Sequence, residues 1–217
     1  QMRVVLLGIE PVVLVGPVDR EVLAGAGESY TLIVGRTAGM DRYKGHDELL
    51  EIWPEVRRRL PAARLVLAGS GSDLVRLRAK AFSLGLTCGE GSSAAAADAV
   101  CFAGQIDPAT LGELYRRAAV FAMPSLLEGF GLVYPEAMAA GKPCIALQGT
   151  APAEIVVDGE TGRLVPQDDP AALGGALVDL LGDPEKARAM GEAGRRRYER
   201  EFTARAFERR FQPVVDE

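Results

Sequence analysis

Short, continuous apolar runs recur along this chain, separated by amphipathic segments of helical length. The β-rich runs are Val12 to Val15, Thr31 to Val34, Arg64 to Ala68, Ala99 to Phe102, Val120 to Met123 and Pro143 to Leu147. Between them, His46 to Leu60, Asp73 to Leu84, Pro108 to Ala118 and Leu132 to Ala140 read as helices. Short apolar strands without polar alternation are buried on both faces, and the intervening helices do the covering. The pattern predicts an α/β fold, a parallel sheet with helices on both faces. Ligands on such sheets bind beyond the carboxyl ends of the strands.

Helix starts carry their own marks. Asp107-Pro108, Asp169-Pro170 and Asp183-Pro184 each set a capping aspartate before a proline at the first helical position. Pro54 falls inside the helix drawn from His46 and predicts a kink or a restart there. From Asp183 onward the chain reads as charged helix, with Glu192/Arg196 and Glu201/Arg205 at i,i+4 spacing. Arg195-Arg196-Arg197 reads first as a solvated helix face. Its second reading is contact with anionic lipid, and so peripheral association with a membrane surface. The small, polar stretch Thr87 to Ala99 reads as a flexible surface loop.

Composition removes some function classes. With 25 basic and 30 acidic residues the formal charge is −5, which argues against a nucleic-acid binder resting on bulk charge. Cys88, Cys101 and Cys144 show no CxxC spacing and read as reduced thiols in a cytoplasmic setting, the latter two as small buried hydrophobes. No apolar run approaches the ~18 residues of a membrane span, and no signal peptide is evident. His46 is the single histidine, with no partner at zinc spacing, so no metal site is expected. It reads as a helix-start residue beside Lys44.

The richest segment is Glu128-Gly129-Phe130-Gly131-Leu132-Val133-Tyr134-Pro135-Glu136, between the strand ending at Pro124-Ser125 and a helix. A glycine-bearing turn that opens a helix presents backbone N–H groups to an anion such as a phosphate. The two flanking carboxylates would repel that phosphate, so they suit neutral hydroxyls of a sugar or ribose. Phosphate and polyol together describe a nucleotide-sugar. Arg36 at a strand end and Lys44 before a helix can both reach a diphosphate above the sheet. Gly69-Ser70-Gly71 opens like a dinucleotide fingerprint, but Leu74 stands where the third glycine belongs. It reads as a tight turn near the ligand, not as an NAD site. A retaining hydrolase with Glu128 and Glu136 as its carboxylate pair is rejected. One precedes the helix and the other lies more than a turn inside it, which suits an extended ligand better than one bond.

An ordered set of motifs resembles the donor-binding, C-terminal half of retaining GT-B glycosyltransferases, in the large family with the Glu-x7-Glu motif that includes bacterial mannosyl-, glucosyl- and galactosyltransferases. The set runs Val34-Gly35-Arg36, Lys44-Gly45, Leu67-Ala68-Gly69-Ser70-Gly71, Phe102-Ala103-Gly104, Leu114-Tyr115, Pro124-Ser125, Glu128 to Glu136, Ala139-Ala140-Gly141-Lys142-Pro143 and Glu154 to Gly162. The resemblance implies a Rossmann-like domain, one half of a GT-B fold, followed by C-terminal helices. Residues 1–29 then read as a linker with a strand and a turn, 30–182 as the nucleotide-sugar-binding domain, and 183–217 as a helical segment. It implies that Arg36 and Lys44 neutralise the diphosphate leaving group and that Glu128 contacts the transferred sugar. Glu136 would accept from the ribose hydroxyls. The Phe130 and Gly131 amides, after Gly129, would face the sugar, and those of Leu132 and Val133 the phosphates. Gly104, Gln105 and Ile106 would hold the base.

The donor implied is a UDP-, GDP- or ADP-hexose, without metal or cofactor. Catalysis would be electrostatic, with cations stabilising the departing oxygen and the leaving phosphate taking the acceptor's proton. The resemblance also implies a separate acceptor-binding N-terminal domain, for which residues 1–29 leave no room, so this chain alone is expected to bind donor without transferring sugar. A non-catalytic sugar-nucleotide-binding subunit, and an epimerase or phosphorylase of the same architecture, remain open alternatives. The alanine, arginine and glycine content hints at a bacterial source.

Overall fold

The computed structural model describes residues 7–10, 16–90 and 98–215. Seven strands form one parallel sheet: β1 (Thr31–Val34), β2 (Leu65–Ala68), β3 (Cys88–Glu90), β4 (Val100–Gly104), β5 (Val120–Ala122), β6 (Cys144–Leu147) and β7 (Gly162–Val165). Their spatial order is β3-β4-β2-β1-β5-β6-β7. Register is fixed by pairs such as Thr31 with both Leu65 and Val120, and Cys144 with both Phe121 and Gly162. All four residues of β2 and of β6 are buried, as expected of strands covered on both sides.

The helices are α1 (Arg20–Ala26), α2 (His46–Arg59), α3 (Leu74–Ser83), α4 (Pro108–Arg117), α5 (Val133–Ala139), α6 (Pro170–Gly182), α7 (Pro184–Glu201) and α8 (Ala204–Val215). Helix α2 packs against both α3 and α6, α1 against α4, and α5 against α7. The chain winds from β1 through β2 to β4, returns to lay β5 beside β1, then winds the other way through β6 to β7. The direction reverses between β1 and β5. In an open α/β sheet, the crevice above that point is where a ligand sits.

Each of the three Asp-Pro sequences opens a helix as anticipated. Asp107, Asp169 and Asp183 accept from the amides of Thr110, Ala172 and Lys186, at 2.9, 2.9 and 3.0 Å. Helix α2 passes through Pro54 without interruption. Its buried face, Leu49, Leu50, Ile52, Trp53 and Val56, outweighs the lost hydrogen bond, and Trp53 Nε1 donates to the Ala99 carbonyl at 3.1 Å.

Other elements depart from the sequence reading. Helix α1 occupies part of the stretch read as linker strand and turn. Asp19 caps it, and Val22, Leu23 and Ala26 enter the core. Cys88 to Glu90, read as part of a flexible loop, forms the edge strand β3, while 91–97 lie outside the described residues. The expected strand Val12 to Val15 also lies outside them. Glu192 accepts from Arg188 at 2.6 Å rather than from Arg196. Glu201 accepts from Arg200 and Arg210 instead of Arg205, because α7 ends at Glu201 and helical spacing stops there. Arg197 leaves the solvated face: it donates to the Glu154 and Ile155 carbonyls, both at 2.8 Å, with its guanidinium over the Phe202 ring. Cys101 and Cys144 are buried thiols, as read. Among the described residues, no helix is long and apolar enough to cross a membrane.

The N-terminal end of the described chain meets the junction of α7 and α8. Ile9 bridges to Thr203, its N–H donating to the Phe202 carbonyl at 2.8 Å, and Tyr198 Oη donates to the Ile9 carbonyl at 3.0 Å. Phe202 in turn meets Phe130 edge-on, with centroids 6.3 Å apart.

Candidate functional site

Four loops leave the carboxyl edge of the sheet around its switch point: those after β1, β2, β4 and β5. They are fastened to one another by backbone. Gly35 N–H donates to the Ala68 carbonyl at 3.0 Å, Thr37 N–H to Ser70 at 3.1 Å and Gly69 N–H to Gly104 at 2.9 Å. Gly69 has φ +143°, and a Cβ there would stand 1.9 Å from the Gly35 carbonyl oxygen. The Gly69-Ser70-Gly71 sequence is thus explained by loop-to-loop contact.

Above the β1/β5 junction lies an open cleft of about 410 Å³, lined by Gly35, Arg36, Lys44, Glu128 and the turn 130–133 among others. A second, of about 350 Å³, continues over β2 and β4 and is lined by Gly35, Arg36, Gly69, Ser70, Gln105 and Ile106. They share Val34, Gly35 and Arg36. Arg36, Lys44, Glu128, Phe130 to Val133, Gln105 and Ile106 are therefore gathered along one edge, with Arg36 at the centre, while Gly104, Gly129 and Glu136 line neither cleft. Gly104 ends β4 at φ +71° and orients the Gln105-Ile106 turn.

Lys44 Nζ and Glu128 Oε1 are 2.8 Å apart, with side chains only 15% and 13% exposed. Ser125 Oγ also donates to Glu128 Oε1, at 3.2 Å. Two loops far apart in sequence produce this pair. Gly45, at φ +91°, caps the turn before α2 and lies so close to Pro124 that a Cβ would meet its ring at 2.6 Å. Leu126 N–H donates to the Tyr43 carbonyl at 2.8 Å and locks the same two loops. Arg36 is held differently. It is 72% exposed and donates to Asp41 Oδ1 at 3.1 Å. Asp41 is buried and also accepts from Tyr43 Oη at 3.2 Å.

Helix α5 opens at Val133 after Leu132 and is only two turns long, so its macrodipole is small. The two cations beside it are each ion-paired, Lys44 with Glu128 and Arg36 with Asp41. Glu136 is the fourth residue of α5, at the end of its first turn rather than beyond it, and lines neither cleft wall. Its Oε2 accepts from Tyr115 Oη at 2.8 Å. Burial pushes the carboxyl of Glu136 up, and the Tyr115 hydrogen bond pulls it back down. His46 is buried beside Gly35 and Lys44, and burial lowers it to about 4, so it is neutral at physiological pH. Among the described residues, no group of three or more metal-ligating side chains converges.

Sequence reasoning gave no role to Asp41, Ser125 or Tyr115. Ser125 and Tyr115 stood inside quoted motifs. Asp41 gave no signal, because its partnership with Arg36 depends on the 3-10 turn Gly39–Lys44.

Comparison with known proteins fits this architecture. The fold is that of one half of a GT-B glycosyltransferase. Sucrose-phosphate synthase from Thermosynechococcus elongatus superposes with a TM-score of 0.77 at 30% identity, over 100% of this chain and 52% of that one. The C-terminal domain of a glycosyl transferase group 1 family protein from Francisella tularensis gives 0.67 at 23% identity, over 82% of this chain and 87% of that one. The pattern described as glycosyl transferases group 1 matches residues 19–197, and the chain belongs to that family. A GDP-mannose-dependent alpha-(1-6)-phosphatidylinositol monomannoside mannosyltransferase from Mycolicibacterium smegmatis is 39% identical over 159 residues, 70% of this chain and 39% of that protein. A D-inositol 3-phosphate glycosyltransferase from Streptomyces coelicolor is 38% identical over 151 residues, 68% of this chain and 31% of that protein. The chain thus spans well under half the length of these curated relatives.

Proposed function

We propose that this chain is the donor-binding half of a retaining, metal-independent glycosyltransferase that moves a hexose from a nucleoside-diphosphate sugar to an acceptor hydroxyl. The observation that carries this is the Lys44–Glu128 pair at the sheet's switch point, in one cleft with Arg36 and the first amides of α5. A diphosphate spanning Arg36 and Lys44 puts the attached sugar at Glu128. It leaves the nucleoside to run along the second cleft toward Gln105 and Ile106, with the ribose hydroxyls accepted by Glu136. As the bond from the anomeric carbon to the phosphate oxygen breaks, the two cations stabilise the charge growing on that oxygen. The acceptor oxygen bonds the same carbon on the same face, and its proton passes to the leaving phosphate.

The acceptor is held by residues beyond this chain, and the donor unit corresponds to 30–182 with α1 added. The nearly 40% identity to a GDP-mannose-dependent enzyme makes GDP the first nucleotide to test. Unpaired thiols at all three cysteines fit a cytoplasmic setting. Calorimetric titration with GDP, UDP, ADP and TDP, without metal, tests the reading. Saturable binding of one nucleotide, weakened in Arg36→Ala and Lys44→Ala by roughly 1–3 kcal/mol, supports it. Absence of binding by all four at millimolar concentration, in this chain and in the full-length gene product, overturns it.

A further inference from the structure

Glu136 does not stand alone in α5. Tyr115, from α4 on the same side of the sheet, is 1% exposed and spends its one hydroxyl proton on Glu136 Oε2 at 2.8 Å. The ring behind that hydroxyl is fixed. It lies 5.9 Å from Phe121 in β5, and Phe121 meets Tyr134 of α5 edge-on at 5.3 Å. Tyr134 Oη donates to the Met123 carbonyl, just before the Pro124-Ser125 turn that leads to Glu128. On the other side, Tyr30 Oη donates to the carbonyl of Leu114, the residue preceding Tyr115, at 2.8 Å. An aromatic row therefore spans α4, β5 and α5 and ends on a carboxylate.

We propose that Tyr115 is a positioning residue for nucleotide binding: by occupying Oε2 of Glu136 it fixes the carboxylate's rotamer and leaves Oε1 to accept from the ribose hydroxyls. The proposal rests on the reading of Glu136 as the ribose acceptor. It follows from the hydrogen-bond inventory. A carboxylate free to rotate would offer both oxygens in many orientations, whereas one tied at Oε2 by a rigid phenol offers the other in one. Burial raises Tyr115 well above the ordinary tyrosine range, so its hydroxyl keeps its proton and remains a donor. The bond also opposes the upward push of burial on Glu136, which favours the carboxylate as acceptor.

The readout is the ratio of affinities for a ribonucleotide and its 2′,3′-dideoxy counterpart, since a merely structural tyrosine changes both equally. GDP and UDP, each with its dideoxy form, are titrated into the wild type, Tyr115→Phe and Glu136→Ala, with thermal unfolding to establish that each variant is folded. We expect the wild type to favour the ribonucleotide about tenfold, Glu136→Ala to erase the preference, and Tyr115→Phe to cut it to about threefold with dideoxy affinity unchanged. A full preference in Tyr115→Phe together with its loss in Glu136→Ala overturns the role of Tyr115 alone. A full preference in Glu136→Ala overturns the ribose reading of Glu136, and the role of Tyr115 with it. Should Tyr115→Phe not fold, 4-fluorophenylalanine at position 115 fills the space of the hydroxyl and removes the donor. An unchanged ratio in that protein also overturns the proposal.

Discussion

Replacing Glu128 by Gln is expected to tighten binding of the nucleoside diphosphate while weakening that of the intact nucleotide-sugar. In the free protein Lys44 already holds a carboxylate at 2.8 Å. A phosphate oxygen arriving on the same ammonium must share it. Two oxygens each at the ordinary charge-assisted distance from one tetrahedral nitrogen stand about 5 Å apart. Two unit negative charges at that separation repel by about 0.8 kcal/mol in bulk water and about 3 kcal/mol at an effective dielectric constant of about 20. The cleft is open to solvent, so the lower part of the range applies, about 1 kcal/mol, or roughly fivefold in affinity. Gln keeps the shape and an acceptor for Ser125 Oγ, so little else changes. Calorimetry on wild type and Glu128→Gln with GDP, UDP and their hexose derivatives reads the effect. A loss of nucleoside diphosphate affinity in Glu128→Gln as large as that in Lys44→Ala would refute the reasoning, because Glu128 would then be holding Lys44 in place for the phosphate rather than competing for it.

Further outcomes follow from other contacts. Gly45→Ala combines a left-handed backbone with overlap on Pro124. It should cost about 2–4 kcal/mol in denaturant unfolding. Gly85→Ala, at φ +72° with open space around it, should cost only about 1–2 kcal/mol; equal losses would remove the argument from overlap. Hydrogen bonds from Arg76 and Lys80 lower Asp47 to about 2. A depressed carboxyl stabilises the fold above its unfolded value near 4 and loses that contribution as pH falls toward 2. Asp47→Asn should therefore flatten the acid limb of a stability-versus-pH curve between those values, by about 1 kcal/mol once solvent screening of the part-exposed cluster is counted. Lys186 donates to both oxygens of Asp179, at 2.8 and 2.6 Å, yet both side chains are more than a third exposed. Asp179→Asn should shift stability by less than about 1 kcal/mol.

Much of this arrangement was legible in the sequence, and the failures share a cause. β1 was read to the residue, and β2, β4, β5 and β6 within one or two residues at either end, because short runs of mostly buried, mostly apolar residues leave few alternatives. The two edge strands were not read. β7 is Gly-Arg-Leu-Val with two half-exposed positions, and β3 is Cys-Gly-Glu, held by pairing with β4 rather than by its own propensity. Helix α1 was missed although Asp19 marks its start, because seven residues give too short a periodic signal. In the site, the carboxylates and cations stood out by type and spacing. Tyr115 meets Glu136 of the next helix only through tertiary packing, and Asp41 meets Arg36, five residues back, only through the 3-10 turn Gly39–Lys44. Local pattern carries no record of such contacts.

The contact between Gly45 and Pro124 also bears on how this sequence can change over time. The lysine turn and the strand-end proline are not independent letters: a Cβ at 45 would meet the Pro124 ring at 2.6 Å and the Pro124 carbonyl oxygen at 2.8 Å, so losing the ring removes only part of the overlap. The glycine is therefore the fixed letter of the two: position 124 can lose its ring while 45 stays glycine, whereas a side chain at 45 still meets the backbone of 124 in a left-handed conformation.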